Sequence, residues 1–135
     1  MRGIALLLIG ATLASCAVAP QPGRSARAEN RFQQLLAGKV AGPAISCLPS
    51  YRANDMVVID DETIAFRDGS RRVYVANLSH SCSNLGSGHY ALVTNRYGGS
   101  GLCRGDIGQV ADLTTGMTVG SCVFGDFTPY EGTRG

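Results

Sequence analysis

The sequence predicts an all-β domain, a small sandwich or barrel of about six or seven short strands, with two disulfides and a short N-terminal helix. Short runs rich in β-branched and aromatic residues recur from residue 43 onward, and turn residues separate them. The 135-residue chain contains 18 glycines, which is typical of a fold with many turns. Of its five cysteines, one lies near the N-terminus and the other four lie in the strand-rich part, where an even set can pair.

The length and charge of the chain limit its organisation and its partners. A chain of 135 residues has room for one domain. With 44% hydrophobic and 16% charged residues, the composition excludes a wholly disordered chain. The formal net charge of +2 is small and the arginines are scattered, so no nucleic-acid partner is expected.

Residues 1–15 are predicted to be a lipoprotein signal peptide. Arg2 supplies a positive charge ahead of an apolar run over residues 4–13. Ten residues in a helix rise about 15 Å, roughly half of the hydrocarbon core of a bilayer, so the run fits a cleaved signal and not a permanent span.

The four residues Leu13-Ala14-Ser15-Cys16 resemble the lipobox of bacterial lipoproteins. The resemblance implies cleavage before Cys16 and acylation of that cysteine, palmitate included, which would anchor the chain to a membrane. Because no aspartate follows Cys16, the resemblance also implies an outer-membrane lipoprotein whose domain faces the periplasm. The alternative is ordinary secretion with cleavage after Ala17-Val18-Ala19, which would leave Pro20 beside the scissile bond.

Residues 16–28 are predicted to be a lipidated tether, and residues 29–135 a single β-rich domain. The tether contains two prolines, a glycine, serine and arginine, and it shows no apolar period. A flexible linker of this composition would leave the domain free to fold on its own.

A short helix is predicted at the start of the domain, over residues 29–37. Phe32, Leu35 and Leu36 fall on one helical face, and Gly38 suits the end of a helix. The alternative for this stretch is more tether, because a helix this short is stable only when it packs against something.

The strand prediction rests on runs of four to seven residues, rich in apolar and β-branched types, between turn signals. The predicted strands are 44–48, 56–59, 63–66, 72–76, 90–94, 108–113 and 118–124. Asp60-Asp61-Glu62 separates the second strand from the third and suits a tight hairpin.

The four remaining cysteines are Cys47, Cys82, Cys103 and Cys122. In an exported domain they imply two disulfides, with three possible connectivities. We expect Cys47–Cys122, which would join the first strand to the last in a closing sheet, and Cys82–Cys103, which would join two loops. His80 lies two residues from Cys82, but no second close pair of ligands accompanies it, so neither a metal nor another cofactor is expected.

No catalytic constellation appears in the sequence, and no enzymatic activity is expected. The residue types of a hydrolase triad occur at His80, His89, Ser87, Asp106 and Asp112. No nucleophile-elbow motif frames them, so we interpret both histidines as surface or structural residues.

The candidate binding surface consists of two loops, over residues 80–90 and 96–106, because recognition usually resides on loops of a braced scaffold. Its candidate residues are His80, Ser87, His89, Tyr90, Arg96, Arg104 and Asp106. Within the second loop, Arg104-Gly105-Asp106 is interpreted as a turn in which the Asp106 side chain accepts local N–H groups.

Four stretches of the chain together resemble an uncharacterised proteobacterial family, domain-of-unknown-function family 6491. They are residues 42–47, 58–64, 102–106 and 122–129, and the likeness runs from about residue 38 to residue 130. The resemblance implies a small exported or lipid-anchored protein with no assigned activity and no catalytic residues.

Three functional hypotheses follow. The first is a non-catalytic envelope lipoprotein that binds or supports another envelope protein or peptidoglycan. The second is an inhibitor of a lysozyme or protease, since Ser87-Gly88-His89-Tyr90 is similar to the Ser-Gly loop of periplasmic lysozyme inhibitors. The third is a hydrolase, which would require His80 or His89 in a pocket with a shifted pKa.

Overall fold

The computed structural model describes residues 23–49, 55–95 and 101–133. The elements are one α-helix, α1 (Ala26–Leu36), and nine strands: β1 (Lys39–Ala41), β2 (Cys47–Leu48), β3 (Met56–Val58), β4 (Thr63–Asp68), β5 (Arg72–Leu78), β6 (Tyr90–Thr94), β7 (Leu102–Cys103), β8 (Ile107–Asp112) and β9 (Thr118–Gly132). A short 3-10 helix, Leu85–Ser87, precedes β6. The predicted all-β class with a short N-terminal helix and two disulfides is confirmed.

The strands form one curled antiparallel sheet, a half-barrel, and a separate two-stranded ribbon. In the sheet the order is β3-β4-β5-β9-β8-β6, with β1 also paired to β9. The ribbon consists of β2 and β7. The predicted hairpin at Asp60-Asp61-Glu62 is confirmed, because β3 and β4 pair antiparallel on either side of it.

The long strand β9 connects the two halves of the sheet. Its residues 118–123 pair with β8, and its residues 124–131 pair with β5. Near the start of the second half Gly125 lies against Asn77, so close that a Cβ on Gly125 would stand 2.5 Å from the Asn77 carbonyl oxygen. The register with β5 shifts at this point, and such a bulge bends a strand and increases its twist. The bend lets the sheet curl.

The main core fills the inner side of the curled sheet. Phe66, Phe124 and Phe127 lie at its centre with ring centroids 6.0–6.3 Å apart, and each ring is at most 1% exposed. The ribbon adds Leu48 and Leu102, which are 0% and 2% exposed. The ribbon therefore covers part of the core that the half-barrel leaves uncovered.

Helix α1 packs on the outer side of the sheet. The side chains that contact the second apolar cluster, built around Val73 and Val75, are Ala28, Phe32, Leu35 and Leu36. The helix begins at Ala26 because the Ser25 side chain caps it, accepting a hydrogen bond from the Ala28 N–H at 3.2 Å. The last three residues assigned to the tether thus belong to the helix.

The predicted connectivity, Cys47–Cys122 and Cys82–Cys103, is wrong. The disulfides are Cys47–Cys103 and Cys82–Cys122. The expectation placed the strand of Cys47 beside the last strand of a closing sheet. Instead, among the described strands, β2 pairs with β7 alone, where Cys47 lies directly opposite Cys103 with 4.0 Å between the Cα atoms.

The second disulfide follows from the path of the chain after β5. The Ser79 N–H donates to the Val123 carbonyl at 2.9 Å, which continues the contact between β5 and β9 beyond the end of β5. This contact brings the loop that carries Cys82 next to Cys122 on β9.

Each of the seven predicted strands corresponds to a strand or bridge of the structure, although the first and last residues differ. Residues 44–48 form only an isolated bridge at Ile45 and the two-residue strand β2. The prediction missed β1, β7 and the extension of β9 to Gly132.

Among the described residues no helix is long and apolar enough to cross a membrane. The predicted signal peptide and Cys16 lie outside the described residues.

The close approach at the bulge gives a direct test of the bend. We expect Gly125→Ala to lower the free energy of unfolding by about 1–3 kcal/mol, because its methyl group would overlap the Asn77 carbonyl. Gly120→Ala is the matched control on the same strand, since nothing lies within 4 Å of its Cβ position, and it should change stability by less than about 0.5 kcal/mol. Urea unfolding with the disulfides intact measures both variants, and equal stabilities would contradict the bend.

Candidate functional site

A polar cleft of about 630 Å³ lies between the start of α1, the β3–β4 turn and the loop that follows β5. Its lining is dominated by hydroxyl, amide and carboxylate side chains. The lining residues with such side chains are Ser25, Asp60, Asp61, Glu62, Thr63, Asn77, Ser81, Asn84 and Ser87, together with the guanidinium of Arg24. The cleft is the candidate functional site.

Arg24 links the start of α1, on one side of the cleft, to the β3–β4 turn. Its side chain is 11% exposed and donates from Nε to Asp60 Oδ2 at 2.5 Å and from Nη2 to Thr63 Oγ1 at 2.8 Å. Nη1 pairs with Glu29 Oε2 at 3.1 Å, and the guanidinium lies 4.4 Å from the centroid of the Phe32 ring. The planar guanidinium thus links the first turn of α1 to the start of β4.

Arg24 and the carboxylates around it shift the pKa values of Arg24 and Glu29 in the direction that favours the ionised forms. Burial acts to lower the pKa of Arg24, but hydrogen bonds and charge from Asp60 and Glu29 outweigh it and raise that pKa. The pKa of Glu29 is lowered by the hydrogen bond from Gln33 and then by that from Arg24. At neutral pH Arg24 and Glu29 are therefore both ionised.

Asp61 organises the opposite wall of the cleft. Its Oδ1 accepts the Gly86 N–H at 2.7 Å, its Oδ2 accepts the Asn84 N–H at 3.3 Å, and its carbonyl accepts the Cys82 N–H at 2.7 Å. These contacts fold the loop after β5 onto the β3–β4 turn. Asp60 in turn accepts the Glu62 N–H at 2.8 Å, which closes the turn itself.

Two backbone features allow the loop to lie so close to the turn. A Cβ on Gly86 would stand 3.1 Å from the Cα atom of Asp60, so a side chain there would push the turn and the loop apart by a few tenths of an ångström. Asn84 adopts a left-handed conformation with φ of 67°, which asparagine tolerates better than most residues. The backbone conformation of the loop at Asn84 and Gly86 thus helps to shape this wall of the cleft.

The electrostatics of the cleft favour positively charged or N–H-bearing groups. Three carboxylates and one guanidinium line it, and Asp60 and Asp61 are half-buried. In a concave site the field of such a set is concentrated. The serine and asparagine side chains add both donors and acceptors. Within the described residues, no group of His, Cys, Asp and Glu is arranged to hold a metal ion.

The first predicted binding loop contributes to the cleft only in part. Ser87 lines it. His80 and His89 are exposed and are not among the lining residues, and Tyr90 begins β6 with its side chain against the main core. The Ser87 hydroxyl accepts the backbone N–H of His89 at 3.4 Å. The pocketed imidazole that the hydrolase hypothesis requires is therefore not present at either histidine.

The second predicted loop lies elsewhere on the fold. Gly105 donates its N–H to the Phe124 carbonyl at 2.9 Å on the β8 side of β9, whereas the first loop leaves from the β5 side. Arg104 pairs with Asp126 at 3.3 Å. The predicted turn is confirmed, because Asp106 Oδ2 accepts the Cys103 N–H at 2.7 Å. Arg96 lies outside the described residues.

Sequence reasoning missed the residues that build the cleft. Arg24 was assigned to the tether, and Asp60 and Asp61 were interpreted only as turn residues. A signal for Arg24 was available in the Ser25 N-cap that follows it, with Glu29 in the first turn of the helix. The contacts of Asp61 with the loop have no local sequence signal, because 23 and 25 residues separate the partners.

Comparisons with known proteins identify no relative. No family model matches the chain, no curated protein matches it, and no solved structure matches its fold. The resemblance to domain-of-unknown-function family 6491 stays a prediction that rests on the four sequence stretches.

The role of Arg24 can be tested by stability. We expect Arg24→Gln to lower the free energy of unfolding by about 1–3 kcal/mol, because it removes the guanidinium that donates to Asp60 Oδ2 and to Thr63 Oγ1. Arg27→Gln is the control, since Arg27 is exposed on the same helix and has no side-chain partner among the described residues. It should change stability by less than about 0.5 kcal/mol in urea unfolding. Equal effects of the two substitutions would contradict the proposed link.

The lowered pKa of Glu29 predicts a pH dependence. A carboxyl whose pKa falls on folding stabilises the folded state above its ordinary pKa of 4.5, and this contribution is lost as the pH falls through the folded value. The difference in free energy of unfolding between wild type and Glu29→Gln should therefore be largest at neutral pH and shrink below pH 4.5. Urea unfolding over a pH series measures this difference, and one that stays constant would contradict the assignment.

Proposed function

We propose that the protein is a non-catalytic lipoprotein of the cell envelope whose β domain binds a polar envelope component in the cleft. The observation that carries the proposal is the cleft itself, about 630 Å³ in volume and lined mainly by polar side chains. One wall is held by Arg24 through Asp60 and Thr63, and the other is held by Asp61 through the Gly86 N–H. A site with preset walls loses little conformational freedom when a ligand binds.

The chemistry of the lining indicates the class of ligand. Three carboxylates against one guanidinium favour a ligand with a positive charge, and the serines and asparagines favour amides and hydroxyls. Peptidoglycan fragments carry hydroxyls on their sugars and amides and amines on their stem peptides. They are therefore the envelope ligand that we propose for the cleft.

The predicted lipid anchor would place the cleft close to a membrane. Arg24 lies eight positions after Cys16, and an extended chain spans at most about 3.6 Å per residue, or roughly 29 Å in all. Arg24 lines the cleft. Acylation of Cys16 would thus keep the cleft within a short distance of the membrane surface, where envelope ligands are presented.

Binding can be measured with the full chain purified in detergent. We expect it to cosediment with insoluble peptidoglycan and to bind soluble peptidoglycan fragments in isothermal titration calorimetry. Ser81→Tyr, which fills the cleft with an aromatic ring, should weaken binding at least about tenfold, the loss of roughly one well-made contact. Ser121→Tyr is the control, because Ser121 is exposed on β9 away from the cleft. Failure of the wild-type chain to bind, or equal effects of the two variants, would refute the proposal.

A second candidate function is inhibition of a secreted lysozyme or protease. The observation that favours it is the exposure of Ser87, Gly88 and His89, consecutive residues at the edge of the cleft. An exposed loop on a disulfide-braced scaffold suits insertion into the active-site cleft of a hydrolase. Titration of the chain against a panel of lysozymes and proteases tests it, and full hydrolase activity at micromolar concentrations of the chain would eliminate it.

A further inference from the structure

The two disulfides differ sharply in their accessibility. Cys82 and Cys122 are each 2% exposed and belong to the main core. Cys47 is exposed and Cys103 is half-buried. Thiol–disulfide exchange requires a thiolate to reach a sulfur atom along the S–S axis, so accessibility decides which bond can react in the folded protein.

The accessible disulfide closes the ribbon of β2 and β7. Each of these strands has two residues, and Cys47 pairs with Cys103 as Leu48 pairs with Leu102. Among the described residues beyond these pairs, one backbone hydrogen bond extends the ribbon, from the Arg104 N–H to the Ser46 carbonyl at 2.7 Å. A strand pair this short is marginally stable by itself, so we expect its stability to depend on the Cys47–Cys103 disulfide.

The ribbon also covers the main core. Leu48 and Leu102 are 0% and 2% exposed and belong to the same cluster as Phe66 and Phe127. Separation of the two strands would therefore expose apolar surface of the core. The buried disulfide Cys82–Cys122 would still join the loop after β5 to β9.

We propose that Cys47–Cys103 is a site of thiol–disulfide exchange, reduced selectively by an external dithiol such as an oxidoreductase with a C-x-x-C motif, and that its reduction releases the ribbon. The Cys82–Cys122 bond stays oxidised throughout. The ribbon would thus cover the core when Cys47–Cys103 is oxidised and leave it uncovered when a dithiol has reduced this bond.

The exchange proceeds in two displacements. A thiolate of the dithiol attacks Cys47 Sγ, the bond from Cys47 to Cys103 breaks, and Cys103 leaves as a thiolate that takes a proton from water. The second thiol of the reductant, deprotonated, then attacks its own sulfur in the mixed disulfide, which frees Cys47 as a thiolate. The reductant ends as a disulfide, and its two electrons reside on the Cys47 and Cys103 thiols.

Reduction of the oxidised full chain under native conditions tests the proposal. The chain is treated with increasing dithiothreitol, quenched with acid, alkylated and mapped by peptide mass spectrometry. We expect Cys47 and Cys103 to be alkylated at least tenfold faster than Cys82 and Cys122, while the far-ultraviolet circular dichroism keeps its β signal. With glutathione in place of the dithiol, the trapped mixed disulfide should lie on Cys47.

The matched variants separate selective exchange from general unfolding. Cys47→Ser/Cys103→Ser should show no fast-reacting thiol, and its Cys82–Cys122 bond should resist reductant as in wild type. Equal rates at both disulfides, faster reaction of Cys82–Cys122, or a Cys47–Cys103 bond that resists reductant until the chain unfolds would each overturn the proposal. A glutathione adduct on Cys103 would contradict the assignment of Cys47 as the sulfur that is attacked.

Discussion

The bulge at Gly125 is the constraint on which the rest of the fold depends. β9 pairs with β8 over its first part and with β5 over its second, so one strand belongs to both halves of the sheet. A straight strand of 15 residues would span about 50 Å at 3.3 Å per residue, far more than the diameter of a small domain. The strand must bend, and Gly125 bends it where Asn77 leaves no space for a side chain.

The bend gives the sheet an inner and an outer side, and the two sides pack against different parts of the chain. The inner side encloses the three phenylalanine rings, and the ribbon of β2 and β7 completes their cover. On the outer side α1 lies over Val73 and Val75. The polar cleft forms where the start of this helix meets the β3–β4 turn, because Arg24 fixes one wall and Asp61 fixes the other. The position of the proposed binding site is therefore set by the start of α1, which lies next to the β3–β4 turn.

Local patterns in the sequence predict the elements well and their long-range contacts poorly. The β-branched runs around Val57, Ile64 and Val75 predict strands because their side chains pack on a pleated sheet, and these strands form. The pairing of Cys47 depends instead on β2 leaving the main sheet, which no local pattern encodes. The same applies to the cleft, since Arg24 meets Asp60 across 36 residues and Asp61 meets Gly86 across 25. Composition and turn chemistry could not locate either contact.

The cysteine connectivity tests the topology directly. The bent strand β9 places Cys122 beside Cys82, and Cys47 pairs with Cys103 within the ribbon. Trypsin cleaves after arginine, and arginines at positions 52, 96 and 104 separate the four cysteines into four peptides. Mass spectrometry of a non-reducing tryptic digest therefore reads the pairing without ambiguity. We expect linked peptides that contain Cys47 with Cys103 and Cys82 with Cys122. A peptide that links Cys47 to Cys122 would refute this topology.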